Sequence, residues 1–233
     1  MPRRLAGAPR RDQGPSQAAW YTDRPEEDDG VKRTVPEPWS GQLSLFEDDS
    51  AREAPSGRNI LVFDLETQRS FQDVGGRSAM RELGMSIGVV YSFQDDRFRG
   101  YTEPEAGRLV DDLRAAELVV GYNLLGFDYE VLKGYRDMPF DTVPTLDIMF
   151  QLQERLGFRP KLDSVAQATL GAAKSADGLQ ALAWWKQGRL DLIEKYCTED
   201  VRITRDIYLF GRRNRHVLVS RYAGGPIRVD VEW

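Results

Sequence analysis

The chain predicts an α/β domain, a mixed sheet with helices on both faces, behind a disordered N-terminal tail. Three observations predict it. Residues 1 to 58 are polar and rich in Pro, Gly, Arg and acidic residues, with no sustained apolar period. That composition cannot bury enough surface to offset ordering entropy. From Asn59 onward, short runs of β-branched and aromatic residues bounded by turn residues read as strands. After the third such run they alternate with segments of three- and four-residue apolar spacing, which read as helices. Three meandering strands followed by alternating helix and strand give a mixed sheet covered on both sides. The organisation is a tail, 1–58, and one domain, 59–233, large enough to hold a core.

In order, Asn59–Leu65 predicts a buried strand, Met85–Phe93 a second, and Arg97–Tyr101 a third across a tight Gln94-Asp95-Asp96 turn. Leu109, Val110 and Leu113 give Glu105–Ala116 helical spacing, and Leu118–Tyr122 returns to strand. Gly126 opens a short helix, Phe127–Tyr135. Thr145–Asp147 is a brief strand leading into a helix at Ile148–Leu156, followed by a helix at Lys161–Leu170. A helical hairpin spans Leu179–Lys186 and Leu190–Leu209 with Gly188 breaking it, and Ile227–Val231 is a last edge strand.

Composition excludes several classes. Cys197 is the only cysteine, so there is no disulfide framework and no thiolate zinc site. No run approaches the roughly 20 apolar residues that span a bilayer. The Arg-rich start has no apolar segment behind it, so no secretory signal is expected. A reducing, cytoplasmic setting without membrane contact is the expectation. The net charge of −5 decides nothing about nucleic acid. A binder needs only a local basic patch, and an enzyme that gathers carboxylates for metals concentrates negative charge at its centre.

Four acids stand where apolar residues should be. Strand alternation places Val62, Asp64 and Glu66 on one face of the first strand and Leu61, Phe63 and Leu65 on the other. Ile193, Tyr196, Asp200, Ile203 and Ile207 share one face of the late helix, so Asp200 interrupts an apolar stripe one turn after a tyrosine. Asp128 begins a helix. Each has an ordinary explanation when taken alone. Asp128 could be a helix cap, Glu66 an exposed strand end, Tyr196 a core tyrosine, and Asp200 the partner of Arg202 or Arg205. Four buried carboxylates together need a neutraliser, and the simplest is a pair of divalent cations.

Asp64-Leu65-Glu66-Thr67, then Asn123-Leu124-Leu125-Gly126-Phe127-Asp128, then Tyr196-Cys197-Thr198-Glu199-Asp200 resemble, in that order, the DEDD exonucleases, 3′→5′ nucleases on an RNase H-like fold. The tyrosine before the last acid is similar to the DEDDy branch. Thr145-Leu146-Asp147 and Leu170-Gly171 are similar to a bacterial group of RNase H-like exonucleases. The resemblance covers Asn59 to about Arg213. It implies an RNase H-like α/β fold, and two Mg²⁺ or Mn²⁺ ions held by Asp64, Glu66, Asp128 and Asp200, with Asp64 bridging. It also implies Tyr196 positioning the attacking water, and substrate contacts from Thr67, Asn123 and Phe127. The only histidine, His216, is not in the position of the histidine branch and reads as a surface residue.

In the tail, Gln42-Leu43-Ser44-Leu45-Phe46 is similar to the pentapeptide by which bacterial replication and repair proteins dock onto the sliding clamp. A flexible tether from Phe46 to Asn59 would span about 20 Å and hold the domain near DNA at roughly millimolar effective concentration. This favours DNA over RNA as substrate. An exoribonuclease of the same chemistry and a catalytically idle clamp adaptor are the alternatives. Trp184-Trp185-Lys186, Gly75-Gly76-Arg77 leading to Met80 and Leu83, Lys174 and Arg159-Pro160-Lys161 are weaker candidates for substrate contact.

Overall fold

The computed structural model describes residues 57–172, 178–221 and 225–233; Gln42–Phe46, Lys174 and nearly all of the tail lie outside them. A five-stranded sheet is built from β1 (Ile60–Thr67), β2 (Met85–Ser92), β3 (Arg97–Thr102), β4 (Leu118–Gly121) and β5 (Thr145–Asp147). Its order is β3-β2-β1-β4-β5. The first three strands pair antiparallel, while β4 pairs parallel to both β1 and β5. This is the mixed α/β sheet the sequence predicts.

The central strand β1 is buried on both faces, and its alternation divides the core. Leu61, Phe63 and Leu65 pack with Leu109, Val110 and Leu113 of α1 (Ala106–Ala115) and with Val131 and Leu132 of α2 (Asp128–Leu132). Ile60 and Val62 face the other layer. It contains Ile148 and Leu152 of α3 (Ile148–Leu156), Val165 and Ala166 of α4 (Leu162–Leu170), Ala181 of α5 (Gly178–Lys186) and the stripe of α6 (Leu190–Asn214). Gly188, at φ +70, supplies the left-handed turn between α5 and α6 that a side chain would resist.

Three elements differ from the sequence expectation. Helix α6 continues past Leu209 to Asn214 and ends at Arg215 in left-handed backbone; on this last stretch Gly211 packs against Trp233, where a Cβ would sit 2.4 Å from the indole nitrogen. The Ile227–Val231 segment does not edge the main sheet. Instead β7 (Ile227–Asp230) pairs antiparallel with β6 (His216–Val219), a strand too short to announce itself right after a helix. Helix α2 is shorter than expected because Gly134 packs against the Arg81 carbonyl, 2.2 Å from where a Cβ would be, and the chain tightens there into three-residue turns. Among the described residues no helix is long and apolar enough to cross a membrane.

Candidate functional site

Two elements bring three acids together. On β1, Asp64 and Glu66 follow Val62 on the face toward α6; on α6, Asp200 sits one turn after Tyr196. One carboxylate oxygen from each of Asp64, Glu66 and Asp200 lies within 4.8 Å of the other two. Asp200 is buried, and Asp64 and Glu66 are half-buried. At an effective dielectric of about 20, each such pair of charges repels by roughly 3–4 kcal/mol. The first two arginines that follow Asp200 on α6 are engaged by other acids. Arg202 is held by Glu199, and Arg205 by Asp206 at 2.8 Å while stacking on Tyr91 and Phe98. An all-oxygen, all-anionic donor set of this kind fits a hard divalent cation such as Mg²⁺ or Mn²⁺.

Asp128 approaches the same strand from its edge. The register of β1 with β4 ends at Val62 opposite Val120, and beyond it Asp128 Oδ1 accepts the Leu65 N–H at 3.1 Å. Its side chain therefore serves β1 as well as the N–H at the start of its own helix, whose first residue it is. Burial, and then the charge of Asp64, raise its carboxyl well above the usual range, against the pull of two backbone N–H groups. It is a neighbour of Asp64 and not part of the close trio.

Tyr196 is buried beside the trio, and its hydroxyl is hydrogen-bonded to Asp200. Burial first, then the charges of Asp200 and Glu66, push the phenol far above its ordinary value, so it stays protonated at any physiological pH. The Trp184 ring meets it edge-on at 6.2 Å, and both Trp184 and Trp185 are half-buried against the core.

The remaining sequence-predicted residues are placed as follows. Thr67 is buried just after a register shift in β1, and its hydroxyl donates to the Arg69 carbonyl at 3.0 Å. Asn123 has left-handed backbone, φ 71, and its side-chain oxygen accepts from Arg159. Phe127 is half-buried and edge-on to Phe71 at 5.9 Å, with Arg77 over the Phe71 ring at 5.1 Å. His216 is half-buried and lies in β6, bonded to the Asn214 carbonyl.

Sequence reasoning missed Cys197 and Asp147. The buried thiol of Cys197 lies 3.3 Å from the Asp64 carbonyl oxygen and 3.4 Å from Asp64 Oδ2. Burial, and then the charge of Asp64, hold it protonated, so it donates. Its place four residues after Ile193 and three before Asp200 was a readable signal. Asp147 is buried and accepts three backbone N–H groups, from Asn123 at 2.8 Å, Leu125 at 3.0 Å and Phe150 at 3.1 Å. It thereby fixes the loop that delivers Asp128, and nothing local to its own tripeptide reveals that. A shallow cavity of about 440 Å³ between α3 and β7, lined by Arg155, Leu156, Arg228 and Asp230, contains none of these residues.

Comparison with known proteins agrees with this architecture. The family B DNA polymerase of the hyperthermophilic archaeon Pyrobaculum calidifontis superimposes with a TM-score of 0.50 at 17% identity over 67% of the chain. The match spans 24% of the polymerase, so the likeness is one of fold. No curated protein matches the chain. A protein-family model, RNase_H_2, described as the RNase_H superfamily, matches residues 61–209, which hold all four acids and Tyr196. With that match extending over most of its length, the chain belongs to the RNase_H superfamily.

Proposed function

We propose that this protein is a divalent-metal-dependent nuclease, a two-metal 3′→5′ exonuclease acting on DNA. The observation that carries the reading is the meeting of Asp64, Glu66 and Asp200 within 4.8 Å. These three side chains would hold one Mg²⁺ or Mn²⁺, and Asp64 with neighbouring Asp128 a second. When bound, such ions lower the pKa of water and neutralise charge on the phosphate.

The residues themselves do the positioning. The acids are supplied by a central strand and a packed helix, elements rigid enough to keep their geometry before substrate arrives. With its hydroxyl proton donated to Asp200, Tyr196 would orient water by accepting a hydrogen bond from it and not by taking its proton. The Cys197 thiol and the Leu65 N–H fix Asp64 and Asp128 from behind. Phe71 and Phe127, edge-on to each other, would offer an apolar wall for a terminal base. In the reaction, water's oxygen bonds to phosphorus, the P–O3′ bond breaks, and the 3′-oxygen leaves as a hydroxyl.

Polarity and end-wise cutting follow from the DEDDy resemblance. The preference for DNA follows from the clamp-like peptide Gln42–Phe46, which would tether the enzyme to a bacterial sliding clamp in replication or repair. The polymerase that shares the fold is, by its name, a DNA enzyme, which agrees with that choice.

The test uses oligonucleotides labelled at the 3′ or the 5′ end, as DNA and as RNA, with Mg²⁺ or Mn²⁺, and purified Asp64→Ala as the control. Stepwise loss from the 3′ end of DNA by the wild type alone is expected. Equal turnover by Asp64→Ala would remove the assignment, and activity confined to RNA would replace the substrate.

A further inference from the structure

Among the described residues five large apolar side chains are conspicuously exposed: Leu125, Phe150, Phe158, Leu179 and Leu190. Three of them, at 45, 44 and 45% exposure, gather around the loop that leads into Asp128. The Asp147 carboxylate binds the backbone N–H groups of Leu125 and Phe150, so those two residues start from the two oxygens of one anchor. The segment after α3 returns to the same loop. Arg159 donates to the Asn123 side chain, and the Pro160 carbonyl accepts the Tyr122 hydroxyl at 2.8 Å, which brings Phe158 alongside.

The chemistry of this surface is mixed in a particular way. Directly after Phe158, Arg159 and Lys161 are basic and exposed, in a chain whose net charge is −5. Exposed aromatic rings offer stacking to any base, and interleaved cations offer contacts to phosphate, which is how single strands are held without sequence preference. The surface starts close in the chain to one of the four acids. Leu125 is three residues before Asp128, so their Cα atoms are at most about 11 Å apart.

We propose that Leu125, Phe150, Phe158 and Arg159 form a track for single-stranded nucleic acid running away from the carboxylate centre. It rests on the nuclease reading in that its occupant is the substrate strand a few nucleotides from the scissile bond. The track binds longer strands more tightly than short ones and leaves the chemistry at the trio unchanged.

The test uses the full chain carrying Phe150→Ala with Phe158→Ala, and a second variant with tyrosine at both positions. Binding of fluorescent oligothymidylate is measured in EDTA, and hydrolysis of thymidine 5′-(p-nitrophenyl phosphate) is measured with Mn²⁺. The alanine pair is expected to weaken oligothymidylate binding by about tenfold or more. The tyrosine pair should retain it, and hydrolysis of the small substrate and the thermal midpoint should be unchanged in both. Unaltered oligothymidylate affinity in the alanine pair overturns the track. So does a concentration-dependent self-association that the alanine pair abolishes while strand binding stays the same, since the surface would then belong to a protein partner. If the wild type hydrolyses nothing yet binds oligothymidylate through these phenylalanines, the nuclease reading fails and the strand-binding surface stands.

Discussion

On one face of β1, Leu61, Phe63 and Leu65 are buried against α1 and α2; on the other, Val62 is followed by Asp64 and Glu66 facing α6. The two faces share a backbone and a position at the centre of the sheet. The first face removes apolar surface from water, about 1.5–3 kcal/mol for each large side chain. The second spends comparable energy on holding like charges together. The contrast teaches that the acids are tolerated because the opposite face carries the strand's stability.

The sharpest way to break this contrast is to substitute one residue on each side. Asp200→Asn should abolish divalent-dependent hydrolysis while the thermal midpoint stays level or rises, because repulsion within the trio is relieved. Denaturation and turnover of the same preparation check it, and a large drop in stability would mean the acid has a structural task. Tyr196→Phe should lower the rate by about 10²-fold with substrate affinity little changed, the scale expected when a reacting group loses its alignment. An unaltered rate would take Tyr196 out of the chemistry.

Across the strand, Phe63→Ala should do the reverse. It removes a fully buried ring and should cost about 3–5 kcal/mol in chemical denaturation, while the folded fraction keeps its turnover. A smaller effect is expected far from both faces. Gly211→Ala places a methyl 2.4 Å from the Trp233 indole nitrogen and displaces that ring from its 3.2 Å bond to the Tyr208 carbonyl. A loss of about 1–3 kcal/mol with unchanged activity should follow.

What the sequence made legible is what periodicity alone controls. Alternation on β1 assigned Asp64 and Glu66 to one face, and three- and four-residue spacing gathered Ile193, Tyr196, Asp200, Ile203 and Ile207, all of which are buried on α6. These depend on the backbone's own repeat, so a string of letters carries them. What stayed hidden depends on partners distant in the chain. Asp128 looked like a cap for its own helix, and nothing local showed that its oxygen also serves Leu65, 63 positions earlier. β6 is too short to reveal a partner in β7, and the last turns of α6 pack against a tryptophan distant in the chain. The bonds of Thr67 to the Arg69 carbonyl and of Asn123 to Arg159 were likewise not legible in the sequence.

Asp147 joins three peptide groups to a single buried carboxylate, so the entry of the fourth acid is fixed by a residue that reacts with nothing. A change there would mimic, in any screen for lost turnover, a change to the acids proposed to hold the metal. Inherited or engineered variants at that position would be misfiled as catalytic unless the slack in the 123–127 loop were measured directly.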